Sequence, residues 1–321
     1  MLKKFLEKQA RLEPHPLRGA QGVLHYTIKM KSNPKIIVIL GPTASGKSDL
    51  AVIIAKKISG EIISADSRQV YKGMDIGSGK ITKKEMLGIP HHLLDVANPK
   101  RTFTVSHYQK LADQKIKEII SRNKTPIIVG GTGLYIQSIV DGVVLPEVGP
   151  NYDLRQKLER LSVGQLFSKL QKLDPIRAKS IDAKNPRRLI RAIEIATALG
   201  KVPELKTKPS PYEFILIGLN PGEKILKQNI HKRLEKRLKQ GMIQEVKRLR
   251  AAGLSWKRLE SFGLEYRFIA QYLQSKITKQ EMKTLIEKES WQYAKKQMTW
   301  FKRDERIRWV TKPVEAKKLI K

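Results

Sequence analysis

The chain contains no cysteine. That excludes a disulfide-stapled scaffold, cysteine-ligated zinc and a cysteine nucleophile, and it fits a protein of the reducing cytoplasm. No apolar run approaches the ~20 residues that a membrane-spanning helix requires, so no membrane segment is expected. No Gly-x-Gly-x-x-Gly fingerprint is present, which argues against a dinucleotide-binding fold. Acidic residues are scarce: 30 Asp and Glu face 64 Lys and Arg in 321 residues, a formal net charge of +34. An excess spread along the whole chain favours a polyanionic partner, above all nucleic acid, over a small metabolite alone. The hydrophobic fraction of 40% is ordinary, and the length suffices for one large domain or two modest ones with a full core.

What the sequence does hold begins with a phosphate cradle. The apolar run Ile36-Ile37-Val38-Ile39-Leu40 leads into Gly41-Pro42-Thr43-Ala44-Ser45-Gly46-Lys47-Ser48, and the helix-forming run Asp49–Ala55 follows. Strand, glycine-bounded loop, Lys-Ser and helix form the phosphate-binding loop. Gly41 and Gly46 permit backbone geometry that side chains would obstruct, so several N–H groups can point at one phosphate. The helix N-terminus adds partial positive charge. Lys47 reaches the more distal phosphate, and the Ser48 hydroxyl is placed to sit on a phosphate-bound magnesium ion.

Periodicity divides the rest. From residue 35 to about 140, short β-branched runs (Lys35–Leu40, Glu61–Ser64, Pro126–Val129) alternate with helical segments (Ser48–Ser59, Ser106–Arg122), which predicts a parallel α/β sheet. His92–Val96 is a candidate further strand. Residues 141–211 are bounded by prolines and carry helical patterns (Tyr152–Leu161, Gln165–Leu173, Asn185–Leu199), and Glu213–Leu219 then returns to strand. A helical block between strands predicts an insertion at 141–211 into a core formed by 34–140 and 212–321. The remainder reads as helical, with an apolar stripe from Ile230 to Leu249 opposed by a basic face, and a last helix near Glu281–Phe301. The fold class expected is therefore α/β, a P-loop NTPase-like parallel sheet flanked by helices, with an inserted helical domain and a helical C-terminal region. Residues 1–33, broken by Pro14 and Pro16, are expected to be a disordered extension, with Met30 as a natural alternative start.

Residues just past the C-terminal end of a parallel strand face the ligand crevice. Asp66, in Asp66-Ser67-Arg68-Gln69, stands there after the second strand and has three available roles: magnesium ligand, general base or helix cap. Thr132, in Gly130-Gly131-Thr132-Gly133, follows the third strand as a second phosphate contact or an N-cap. Two pieces of hydrolysis equipment are missing. The strand Ile127-Ile128-Val129 ends in glycine where an ATPase carries an acid, with Leu93-Leu94-Asp95 only a loose substitute, and Asn123-Lys124-Thr125-Pro126 lacks the aspartate of a guanine-reading loop. A phosphate cradle without that equipment points to a transferase with a phosphorylated donor. Asn185-Pro186-Arg187-Arg188-Leu189-Ile190-Arg191 opens a helix on which Arg187 and Arg191 share one face, a plausible phosphate clamp. Near the end, Trp291, Tyr293, Trp300 and Phe301 interleave with Lys295, Lys296, Lys302 and Arg303, a pattern that suits base stacking, although helical spacing places at least two of the four aromatics in the core.

Six of these segments, in order, resemble the tRNA dimethylallyltransferase (isopentenyltransferase) family, of the bacterial type. They are Gly41–Ser48, Asp66–Gly77, His91–Asp95, Gly130–Tyr135, Asn185–Arg188 and Tyr293–Phe301, spanning residues 35 to about 310. The resemblance implies transfer of a dimethylallyl group from dimethylallyl diphosphate to N6 of the adenine 3′ to a tRNA anticodon. It implies that Gly41–Ser48 hold the donor's diphosphate, with Lys47, Ser48 and magnesium neutralising the leaving group. Asp66 then accepts the N6 proton and Thr132 contacts the bridging oxygen. It further implies that Asp66, Ser67, Arg68, Gln69, Thr132, Arg155, Arg187, Arg188, Leu189, Ile190, Arg191 and Arg267 meet the anticodon stem-loop, from which the adenine is flipped. Ser78, Lys296, Lys302 and the Phe262–Arg267 spelling depart from the family's commoner residues. A cytoplasmic monomer without membrane contact is the corresponding expectation. Three rivals predict different behaviour. A small-molecule kinase would phosphorylate an acceptor with ATP, a free-adenine-nucleotide prenyltransferase would not need the basic helical half, and an RNA-binding ATP switch would hydrolyse ATP without transferring a prenyl group.

Overall fold

The computed structural model describes residues 33–320; the extension expected over 1–33 lies, but for its last residue, outside them. The chain divides into two compact units. One takes in the residues up to Ile136 and those from Ser210 onward, and the other is Gln137–Pro209.

The first unit is built on a six-stranded sheet with the order β3-β2-β4-β1-β7-β8. Its strands are β1 (Lys35–Leu40), β2 (Gly60–Ala65), β3 (His91–His92), β4 (Thr125–Gly130), β7 (Glu213–Leu219) and β8 (Arg308–Val310), and every pairing is parallel. Parallel strands are covered on both faces, so they read as continuous apolar runs. β1, Lys-Ile-Ile-Val-Ile-Leu, is buried at all but its first residue. The helix Lys47–Ile58 packs Leu50, Ala51, Ile54 and Ala55 on one face of the sheet against Ile37, Ile39, Ile62 and Ile217. Each large side chain of this layer that is fully withdrawn from water contributes about 1.5–3 kcal/mol. The α/β class with a central parallel sheet is thus as the sequence predicts.

Three details differ from the sequence reading. Of the His92–Val96 run only His92 is in a strand, paired with Ile63 beside the His91–Ile62 pair, because Leu93 and Asp95 adopt φ of 62° and 56° and leave extended geometry. The C-terminal region is not wholly helical: Arg308–Val310 adds the edge strand β8 next to β7, too short a run to carry a strand signature. The stripe from Ile230 to Leu249 is two helices, Glu223–Lys239 and Met242–Ala251, broken at Gly241, whose φ of 95° no helix continues.

The second unit carries the helices Tyr152–Leu158, Val163–Leu173, Pro175–Ser180 and Pro186–Leu199, with the two-stranded pair β5 (Val143–Val144) and β6 (Lys206–Thr207). Its core gathers Leu158, Leu166, Leu170, Leu189 and Ile193. Asn151, Ser162, Asp174 and Asn185 each cap a helix through a side-chain oxygen, which satisfies donors that the first helical turn leaves unpaired.

One buried acid fixes the loop after Gln69 to the helical half of the first unit. Glu245, 2% exposed, accepts the backbone N–H groups of Asp75, Ile76 and Gly77 and the Tyr266 hydroxyl at 2.7–3.0 Å. Lys80 completes the lock, donating to the Tyr71 carbonyl and to the Asp75 and Asp95 carboxylates. Glu245→Ala leaves three backbone donors and a hydroxyl buried without a partner. It should cost on the order of 3–4 kcal/mol, read as a lowered urea midpoint at unchanged slope.

Candidate active site

The strand register sets the site. β4 lies between β1 and β2, with Leu40 and Ala65 both level with Gly130. The next residue of each strand, Gly41, Asp66 and Gly131, therefore leaves the sheet at one height. Gly130 is required for this closeness: a Cβ there would come 2.1 Å from the Ala65 carbonyl oxygen. The Thr132 N–H then donates to that same oxygen at 3.2 Å.

The loop Gly41–Ser48 has the form of a phosphate cradle. Gly41, Ala44 and Gly46 have φ of 150°, 62° and 88°. A Cβ on Gly41 would strike the Leu219 carbonyl oxygen at 2.4 Å. Gly46 caps the following helix without a side chain, so the helix N–H groups face a cavity of about 350 Å³ that Thr43, Lys47, Ser48, Asp66, Gln69 and Arg233 line among others. Lys47 donates to the Pro42 carbonyl at 3.0 Å. Burial and then the Arg233 charge lower its pKa from 10.5 to about 8, against the pull of Asp66. Burial and Arg237 lower Arg233 to about 10. Two half-buried cations in one concave site suit an anionic ligand. Ser45 is buried with its hydroxyl unpartnered, Ala44 is buried, and Pro42 and Thr43 complete the turn.

Asp66 takes both the cap geometry and the cavity position. Its Oδ1 accepts the N–H groups of Arg68 and Gln69 at 2.8 and 3.3 Å, while Oδ2 takes no part in these bonds and the residue lines the cavity. The Thr132 hydroxyl accepts the Ser67 N–H at 3.0 Å, so the hydroxyl and the carboxylate are held by adjacent residues of one turn. Arg68 donates to the Phe262 carbonyl at 2.6 Å and to Ser67. Gln69 links Ser64 to the Gly79 carbonyl. Arg267 donates to the Glu260 carbonyl at 3.4 Å. Asp95, the loose candidate for a strand-end acid, is held by Lys80 at 2.6 Å and is not among the cavity residues.

Side chains distant in sequence complete the site; Tyr293 and Gln297 lie in the Tyr293–Phe301 segment, while Asn229 and Arg233 belong to none of the family-like segments. Asn229 donates to the Ala44 carbonyl at 3.0 Å. Arg233 comes from the same helix; its only sequence signal is membership of that helix's basic face. Gln297, from the helix Lys279–Phe301, contacts the phosphate loop and the Gly130–Gly133 turn at once. Tyr293, on that helix too, is pushed up to about 12 by burial and by the negative charge of Asp66. Of the four aromatics near the end, Phe301 is buried, while Trp291, Tyr293 and Trp300 are half-buried. Lys227 and Lys295 lie over the Trp291 ring at 4.9 and 5.8 Å. A metal ion would find the Ser48 hydroxyl and the Asp66 carboxylate on the cavity wall. Among the described residues there is no cluster of three His, Cys, Asp or Glu, so phosphate oxygens and water would have to supply most of six ligands. That donor set suits magnesium.

In the second unit, Glu194 is fully buried and accepts Arg155 at 2.7 Å through both Nε and an NH2 group, Arg191 at 3.0 Å and the Asn151 N–H at 2.8 Å. Arg191 also donates to the Val148 carbonyl. Arg155 and Arg191 thus hold their own unit together. Arg187 and Arg188 are exposed, with Asp182 at 3.8 Å from Arg188, Leu189 is buried in the core and Ile190 packs against it.

A phosphate loop on a parallel sheet, with a carboxylate and a hydroxyl at the neighbouring strand ends and no acid on β4, defines a phosphate-binding α/β transferase. Comparison with known proteins narrows the class. Residues 69–304 match the IPP transferase family model. The chain is 41% identical over 286 residues to a tRNA dimethylallyltransferase of Halothermothrix orenii, covering 86% of this chain and 87% of the relative. It is 43% identical over 285 residues to one of Carboxydothermus hydrogenoformans, with 86% and 91% covered. A crystal structure of a tRNA isopentenylpyrophosphate transferase from Bacillus halodurans superposes with a TM-score of 0.67 at 36% identity, covering 90% of this chain and 96% of that one. The chain belongs to the IPP transferase family.

The lowered Lys47 pKa gives a pH dependence. With a folded value of about 8 against 10.5, the amine is charged below pH 8 and loses its proton as pH rises through that value. Affinity for an alkyl diphosphate such as methyl diphosphate, measured by calorimetry, should be highest below pH 8 and fall between pH 8 and 9.5. Lys47→Met should remove that step. The unfolded chain binds the extra proton between pH 8 and 10.5, so this group's penalty on stability is relieved over the same window.

Proposed function

We propose that the protein transfers a dimethylallyl group from dimethylallyl diphosphate to N6 of the adenine 3′ to the anticodon in tRNA, releasing diphosphate. The observation that carries this reading is that Asp66, at a strand end, lines one cavity with the phosphate loop. Of the other acids there, Glu85 caps the helix at Thr82 and Asp49 sits in the first turn of the helix after the loop, while Asp95 is tied to Lys80. A carboxylate facing a diphosphate site, without the strand-end acid of a hydrolase, suits proton removal from an acceptor more than activation of water. The relatives' activity on tRNA agrees with the net charge of +34, which neither a small-molecule kinase nor a free-nucleotide prenyltransferase accounts for.

In this reading the donor's diphosphate lies in the cradle against Lys47, Arg233 and the N–H groups at Gly46–Ser48. The bond between C1 of the prenyl group and the bridging oxygen breaks with its electron pair leaving on diphosphate. The N6 lone pair forms the new bond to C1, and the N6 proton passes to the Asp66 carboxylate. Lys47 and Arg233 stabilise the charge that grows on the leaving group, and Thr132 donates to its bridging oxygen. Magnesium, held by Ser48 and the diphosphate, would add further neutralisation of that charge. The adenine must leave the anticodon stack to reach Asp66. Ser67, Arg68, Gln69, Arg187, Arg188 and Arg267 are assigned to the tRNA, together with Arg155, Leu189, Ile190 and Arg191, the last four acting through the helix they stabilise. The protein works as a cytoplasmic monomer. Among the described residues no helix is long and apolar enough to cross a membrane.

Incubation with labelled dimethylallyl diphosphate and unmodified tRNA should place label on the anticodon-loop adenine; label on a free nucleotide or none at all defeats the reading. Asp66→Asn should slow transfer by roughly 10²–10⁴-fold with tRNA affinity little changed. An equal loss of affinity would mark Asp66 as a binding residue. Arg187→Ala should weaken tRNA binding and lower the slope of log K against log salt by about 1. Arg191→Ala should show chiefly as a lowered melting temperature.

A further inference from the structure

The helix Lys279–Phe301 is anchored at its start by a capping box between Thr278 and Glu281 and lies across the two loops that hold the reaction. Gln297, 6% exposed, accepts the Thr43 N–H through Oε1 at 2.8 Å and donates from Nε2 to the Gly131 carbonyl at 2.9 Å. One primary amide therefore spans the phosphate loop and the residue before Thr132. Amide chemistry suits both ends, because a single planar group offers one acceptor and one donor in fixed relation. The contact tolerates no filler. A Cβ on Gly131 would lie 2.2 Å from Nε2 of Gln297, and one on Gly133 would lie 2.4 Å from the ring of Trp300. Gln297 and Trp300, three residues apart, share a helix face, and that face seats against Gly131 and Gly133. From Gly131 the chain of contacts continues: the Thr132 hydroxyl accepts the Ser67 N–H, and Asp66 precedes Ser67.

We infer that Gln297 is a positioning residue for prenyl transfer, holding the leaving-group loop and the Thr132–Asp66 pair in one register. The inference rests on the reading of Asp66, Thr132 and the phosphate loop given above. Gln297 is buried and both ends of its amide are bonded to backbone, so it acts through Thr43 and Gly131. The reacting atoms lie between the two loops it joins: the diphosphate sits on one, and Thr132, at the bridging oxygen, follows Gly131 on the other and is bonded to the turn that carries Asp66. Displacement of one loop by a fraction of an ångström misaligns those atoms without emptying either binding site. Positioning errors of about 1 Å cost on the order of 10²-fold in rate.

The test uses the full chain, unmodified tRNA and labelled dimethylallyl diphosphate. Wild type is run alongside as the control, so absence of transfer there counts against the function and not against the role of Gln297. Gln297→Leu removes both hydrogen bonds at similar volume. Gln297→Glu keeps the acceptor for Thr43 and removes the donor to Gly131. Both should lower kcat about 10–100-fold with KM for donor and tRNA changed less than about threefold. Gln297→Glu should melt below wild type because its carboxylate faces the Gly131 carbonyl, so each variant is assayed well below its own melting temperature, where it is fully folded. The double variant Gln297→Leu with Thr132→Ala should be little slower than the worse single variant, since both act on one alignment. The inference fails if Gln297→Glu turns over like wild type, if either variant loses rate through KM alone, or if the double variant loses the product of the single effects.

Discussion

The site depends on how closely β2 and β4 approach at their C-terminal ends. Gly130 stands level with both Leu40 and Ala65 and has no side chain to hold the strands' ends apart. Parallel pairing carries that alignment one residue past the sheet, and the phosphate loop, Asp66 and Gly131 emerge together. Glycines elsewhere in the site have the same purpose. Gly41 passes against the Leu219 carbonyl, and Gly131 and Gly133 receive Gln297 and Trp300. The strand-end residues are brought together by approaches too close for a Cβ, of backbone at Gly41 and Gly130 and of side chains at Gly131 and Gly133.

Around that edge the protein withdraws positive charge from water and leaves it poorly compensated. Lys47 and Arg233 both have lowered pKa values because burial is the largest cause acting on each, and each also feels a neighbouring cation. Elsewhere the protein pairs its buried charges. Glu245 receives three backbone donors and a tyrosine, Glu194 receives two arginines, and Lys80 meets two carboxylates. Satisfied groups mark the scaffold, and the under-compensated pair lies where the proposed reading puts the donor's diphosphate.

Much of the fold was legible because its signals are local. The phosphate loop shows by spacing, and β1 and β7 show by short apolar runs. The elements misread were those whose local signal is weak or misleading. β8 is three residues long, His91–His92 ends where Leu93 turns to positive φ, and the Ile230–Leu249 stripe keeps helical period across a break at Gly241. Among site residues, Lys47 is visible by the spacing of the phosphate loop, and Asp66 and Thr132 because they lie just past strand ends. The arginines of 187–191 look alike in sequence, yet Arg191 is bound to Glu194 and Val148 while Arg187 is exposed. That difference arises from partners about forty residues upstream and three residues downstream, and composition records neither as a partner.

The sequence by itself determined the sheet class, the phosphate cradle, the absence of a strand-end acid on β4 and the excess of positive charge, since each is a property of residue type and spacing. Only the tertiary structure decided which distant side chains reach the cradle. Asn229, Arg233 and Gln297 lie about 180 to 250 residues beyond the loop they contact, on helices whose periodicity says that one face is buried but not against what. A hydrogen bond between such residues follows from how helices dock on a sheet, and docking is settled by the packing of the whole core.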